Sequence, residues 1–155
     1  MKTIKLSLLF IAVSLLTCSV SYAQKTADEV NAMVDSKNFI FKAESASPIR
    51  SGTVQLSPGY DLTVNSASIV SYLPFYGRAE TIPIGNDGGI KFTSTNFDYK
   101  AVASKKGWHV TIKTNDVSHV QQLYLTIYDN GSATLDVMNI HRDDISFRGY
   151  ITNAK

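Results

Sequence analysis

Apolar and polar residues alternate along most of this chain, and the period is two. The cleanest case is Trp108-His109-Val110-Thr111-Ile112-Lys113, where Trp108, Val110 and Ile112 share one face and His109, Thr111 and Lys113 the other. Leu123, Leu125 and Ile127 repeat the pattern over residues 123–128, and Ala133, Leu135 and Val137 repeat it again. All of these apolar residues but Ala133, eight residues, are the expected core. Asp129-Asn130-Gly131 lies between the last two runs and predicts a type I′ hairpin turn, because Asn-Gly tolerates positive φ at both central positions. Earlier, Phe39, Phe41 and Ala43 mark a strand over 39–43, and residues 45–51, with Pro48, read as a polar loop. Strands over 53–56 and 60–64 flank the turn Ser57-Pro58-Gly59, and a strand over 68–73 stops at Pro74. Further strands are expected over 89–93, 97–102 and 145–151, with turns at 104–107 and 141–144.

One segment breaks this period. Thr26-Ala27-Asp28-Glu29 has the form of a capping box, and Ala27, Val30, Met33 and Val34 then fall on one helical face. The spacing predicts a helix over 27–36 that packs on the sheet. Its polar face is not basic, which argues against a membrane-surface helix.

Nine or ten short strands and one helix predict an all-β fold. The expected form is an antiparallel, barrel-like meander of lipocalin type, with a β-sandwich as the alternative. Strands do not alternate with helices, so a parallel sheet is excluded.

The N-terminus changes the picture of composition. Lys2 and Lys5 precede an apolar run over 6–16, and Ser21-Tyr22-Ala23 offers small residues at a cleavage site. This is the pattern of a secretory signal peptide over 1–23, cleaved after Ala23. Lipoprotein processing at Cys18 is disfavoured, because Thr17 is a poor residue before the cysteine. Cleavage leaves 132 of 155 residues, 24–155, as one domain with no cysteine and no membrane-spanning stretch. Loss of Lys2 and Lys5 leaves 13 basic residues against 13 acidic, so nucleic-acid binding has no support. A periplasmic or secreted monomer is expected.

Residues 68–92 concentrate the candidate chemistry, with two of the four prolines and four of the nine glycines. Tyr72, Phe75, Tyr76 and Arg78 are the candidate ligand-binding residues. Tyrosines offer apolar area with a polar tip, and Arg78 either anchors an anionic group or holds the loop by stacking on an aromatic ring. His109, His119 and His141 have no metal-ligand spacing, and each reads as a solvated histidine. Asp143-Asp144 and Asn86-Asp87-Gly88-Gly89 read as solvated turns. No serine sits in a Gly-x-Ser-x-Gly elbow. No catalytic residue, metal or cofactor is assigned.

The block Ser71-Tyr72-Leu73-Pro74-Phe75-Tyr76-Gly77-Arg78-Ala79, with Gly88-Gly89-Ile90-Lys91-Phe92, resembles a bacterial envelope family, domain of unknown function 4251. The resemblance continues through Lys106-Gly107-Trp108, Leu125-Thr126-Ile127-Tyr128 and Ile145-Ser146-Phe147-Arg148-Gly149-Tyr150. Glu80 and Ile84 stand where the family pattern has aromatics. The resemblance implies a signal peptide, a short helix and an all-β body; it implies no activity. The expected function is an exported, non-enzymatic envelope protein that binds a small ligand in a barrel-like pocket. A protein–protein or structural module is the alternative, and a hydrolase the least supported.

Overall fold

The computed structural model describes residues 25–78 and 88–154. The expected signal peptide and residues 79–87, including Glu80, Ile84 and Asn86-Asp87, lie outside the described residues.

The helix α1 (Ala27–Asp35) starts at the predicted capping box. The Thr26 hydroxyl accepts from the Glu29 amide at 3.3 Å, and the Glu29 carboxylate accepts from the Thr26 amide at 3.1 Å. Lys37, with φ of 51°, ends it: the Asn38 amide donates to Met33 O and the Lys37 amide to Val34 O, the Schellman pattern. Val30, Met33 and Val34 are buried.

Ten strands follow: β1 (Phe39–Pro48), β2 (Val54–Gln55), β3 (Asp61–Val64), β4 (Ile69–Leu73), β5 (Ile90–Ser94), β6 (Phe97–Ser104), β7 (Gly107–Thr114), β8 (Val120–Tyr128), β9 (Ser132–Asn139) and β10 (Ile145–Asn153). They form one antiparallel sheet in the order β5-β4-β3-β1-β10-β9-β8-β7-β6, with β2 on β1. The sheet curls into a nearly closed barrel. This is the expected architecture, and β5 and β6 are its terminal strands.

The inward residues Phe39, Phe41, Leu62, Ile112, Leu125, Leu135 and Phe147 belong to one core cluster that also takes in the buried face of α1. Seven of the eight expected core residues are buried. Trp108 is the exception: it is half-buried, packed against the core, and its indole Nε1 donates to Asn31 Oδ1 at 2.8 Å. A buried indole N–H needs an acceptor, and α1 supplies it. Tyr99 makes a second tie to the helix, donating to Val34 O at 3.1 Å. Burial, and secondarily Asp35, pushes its phenol far above the ordinary value, so it remains a donor.

Two local expectations are corrected. Residues 45–48 continue β1 instead of forming a loop, because Ser45–Pro48 pair with Arg148–Ile145 of β10. Register with the partner strand overrides weak local β propensity. The continuation passes a β-bulge between Ala43 and Ser45 that leaves Glu44 unmatched and shifts the inward parity to Ala46 and Pro48. The Asn-Gly hairpin is also not type I′. Gly131 has φ of 82°, Asn130 has no positive φ, and the Gly131 amide donates to Tyr128 O. This is a type I turn followed by a left-handed glycine, the three-residue hairpin solution.

Candidate functional site

The four candidate residues of the central loop fall into two settings. Tyr72 points outward from β4 and is 48% exposed. Its ring stacks on Tyr60, with centroids 5.9 Å apart, and Lys91 Nζ lies 4.3 Å from its centroid. Phe75, by contrast, is half-buried against the core at the rim of the barrel. Tyr76 and Arg78 are exposed beside it.

The rim is held by residues that sequence reasoning treated as a solvated turn. The Arg142 guanidinium lies 5.4 Å from the Phe75 centroid, and its Nη1 donates to Gly88 O at 3.1 Å and Gly89 O at 3.3 Å. On Phe75 this stacking place is taken by Arg142. Arg78 takes part through its backbone: its amide donates to Asp143 Oδ2 at 3.2 Å, and its carbonyl accepts from the Asp143 amide at 3.1 Å. Asp143 also faces Arg50 Nε at 3.7 Å, and Asp144 accepts from the Asn139 amide at 2.9 Å. Both carboxylates are half-buried caps of this rim, not solvated charges.

His119 departs from expectation in the same region. It is half-buried, edge-on to Phe92, and its Nε2 is buried without a hydrogen-bond partner among the described residues, as is Asn139 Oδ1. Burial, and then the nearby Arg142 charge, holds its pKa below the ordinary 6.5. His109 lies on the exposed wall, with Nδ1 3.4 Å from the Thr126 hydroxyl. His141 is exposed, with φ of 64°. At the β5–β6 corner Asp116 accepts from the Ser94 hydroxyl and from the amides of Thr95 (2.8 Å) and Asn96 (3.1 Å). The Ser94 hydroxyl, and then the Thr95 amide, hold its carboxyl below the ordinary 3.8. Among the described residues, no group of three His, Cys, Asp or Glu could hold a metal ion.

A cleft of about 600 Å³ opens on the outer wall, and sequence reasoning missed it. The bulge at Glu44 builds it. Beyond the bulge β1 pairs with β2, and before it with β3, and the turn between them is tied to β1 at both ends: the Leu56 amide donates to Glu44 O at 2.9 Å and the Ala43 amide to Tyr60 O at 3.0 Å. Lys42, Ala43, Glu44, Leu56, Tyr60 and Tyr150 are among the residues that line the cleft. Lys42 Nζ donates to Asp61 Oδ2 at 2.6 Å. Gly149 permits the close approach of β1 and β10 beside it, since a Cβ there would sit 1.8 Å from Lys42 O. A second hollow, of about 360 Å³, lies between α1 and the end of β10. The only sequence signal for the main cleft was Pro58-Gly59, because its walls come from segments far apart in the chain.

The model of the family described as "Domain of unknown function (DUF4251)" matches residues 22–151. The crystal structure of a DUF4251 family protein from Bacteroides eggerthii DSM 20697, at 1.95 Å, is similar to this chain with a TM-score of 0.62 and 16% identity. The match covers 82% of this chain and 87% of that one, and at this identity it speaks for the fold alone. No curated protein matches the chain.

Proposed function

The chain belongs to the DUF4251 family, and from that premise we propose that it is an exported, non-enzymatic envelope protein that binds a small polar ligand on its barrel wall. The observation that carries this reading is the cleft at the Glu44 bulge. Its volume of about 600 Å³ lies within the roughly 300–1,000 Å³ typical of ligand sites. It joins tyrosine surface to fixed polar groups, and it stands on strands. The interior is taken up by the core cluster, so the wall is the better place for a ligand than the lumen. Against catalysis, the rim carboxylates are occupied as amide caps, and the His109–Thr126 contact lies on open wall. The Lys2–Ala23 pattern supports export, and no helix among the described residues is long and apolar enough to cross a membrane.

A thermal-shift screen against a mixed library of sugars, amino acids, nucleotides and short peptides tests the reading. At least one class should raise the melting temperature of the wild type and not of Tyr150→Ala. Ligands that stabilise both proteins equally would place the site elsewhere.

A second reading, a protein–protein module, is favoured by the sheet ends: among the described residues β6 pairs with β7 alone and β5 with β4 alone, and such terminal strands suit strand addition. Capture of a partner that Lys100→Pro abolishes, with no ligand found in the cleft, would favour it.

A further inference from the structure

We infer that the wall cleft takes a neutral oligosaccharide, laid across the strands along a row of alternating aromatic and charged side chains. This inference rests on the cleft reading above and names its ligand class.

The row follows from register. Tyr150 of β10 stands opposite Lys42 of β1, Lys42 opposite Asp61 of β3, Asp61 opposite Tyr72 of β4, and Tyr72 opposite Lys91 of β5. Five neighbouring strands thus present Tyr, Lys, Asp, Tyr and Lys at one level of the outer wall. At about 4.8 Å per strand the row is roughly 19 Å long. That is room for several sugar rings in file.

Each group then has a role that suits a sugar. A pyranose offers a C–H face and a hydroxyl edge. Tyr150 is 45% exposed and offers ring surface for C–H contact, while Tyr72, 48% exposed with Tyr60 and Lys91 against its ring, offers its outer edge and hydroxyl. Tyr72 is preorganised between Tyr60 and Lys91, and Tyr150 lines the cleft together with Tyr60. Lys42, Asp61, Glu44 and Gln55 supply donors and acceptors at the level of the hydroxyl edge.

Other ligand classes fit less well. Lys42 already spends its charge on Asp61 at 2.6 Å, and Glu44 adds a negative group at the cleft floor, so the site does not select an anion. Lys42, Glu44 and Gln55 in the lining disfavour an apolar ligand, because each would have to give up water without a new partner.

Binding of the full exported chain to an immobilised glycan array, followed by calorimetric titration with the best neutral oligosaccharide and its shorter fragments, tests this. Neutral glycans should dominate the bound set, and affinity should rise with chain length from one ring to four. Tyr150→Ala and Tyr72→Ala should each weaken binding at least tenfold. Tyr124→Ala, an exposed tyrosine on β8 outside the row, should leave it unchanged. An array on which no neutral glycan binds overturns the inference, and so does binding indifferent to Tyr150→Ala. If the library screen finds a peptide or nucleotide sensitive to Tyr150→Ala while the array is blank, the sugar inference fails and the cleft reading stands. If neither experiment finds a ligand sensitive to Tyr150→Ala, both fall.

Discussion

Arg142 lies over the ring of Phe75, 5.4 Å from its centroid, and thereby ties the β9–β10 turn to the segment that leaves β4. The same guanidinium bonds the carbonyls of Gly88 and Gly89 on the far side of the loop. One side chain therefore holds both ends of the segment whose sequence is the most distinctive in the chain. Arg142→Ala should cost about 1–3 kcal/mol, because two part-buried carbonyls lose their donor along with the ring contact. Arg78→Ala should leave the unfolding midpoint nearly unchanged, since its described bonds use backbone atoms. Urea denaturation of the two variants checks the contrast. Equal losses would show that Arg78, too, clamps through its side chain.

Leu125 is 1% exposed at the centre of β8, paired with Val110 on one side and Leu135 on the other. Leu125→Ala should cost about 2–5 kcal/mol by opening a cavity that the barrel cannot collapse. A loss near the roughly 0.5 kcal/mol of ordinary surface changes would contradict the β7–β9 register.

That register was legible because these three strands alternate cleanly and have a buried face, which makes a one-residue slip costly. Helix α1 was legible because Thr26 and Glu29 satisfy each other within one turn. Other features depend on distant partners. Ser45–Pro48 look like a loop until β10 pairs with them. Arg142 looks solvated until Phe75 arrives from more than sixty positions earlier. Of the four candidate residues, Tyr72 reaches the row beside the cleft, while Phe75 and Arg78 belong to the rim. Tyr150, Lys42 and Tyr60 were not legible as a site, since only register and the Glu44 bulge bring them together.

Gly149 faces Lys42 O so closely that a Cβ would sit 1.8 Å from it. Gly149→Ala should cost about 1–3 kcal/mol, in the range of overpacking, and should push β1 from β10 where they border the cleft. The expected signature is a lower unfolding midpoint with amide shift changes centred on Lys42 and Glu44. A neutral substitution would mean that the two strands separate without strain.

His119 should make stability depend on pH on the acid side of neutrality. Its native pKa is depressed, so below about 6.5 the unfolded chain takes up a proton that the native ring resists. Stability is unaffected above that point and falls as pH drops through 6.5 toward the native value. Asp116 acts lower: its depressed carboxyl contributes stability above 3.8 that is lost as pH falls through its native value. Urea midpoints should therefore be level between pH 8.5 and 7.5, fall between pH 6.5 and 5.5 for the wild type, and stay level throughout for His119→Gln. Parallel slopes would assign the effect to another group.

Ligand binding at the wall cleft is tested most directly by a map of backbone amide shifts during titration with the highest-affinity compound from the screens. The largest changes should fall on Lys42, Glu44, Tyr60 and Tyr150, with small changes at the inward residues Phe41, Leu125 and Phe147. Changes centred on those inward residues, or on Tyr76 and Arg78 at the rim, would contradict it.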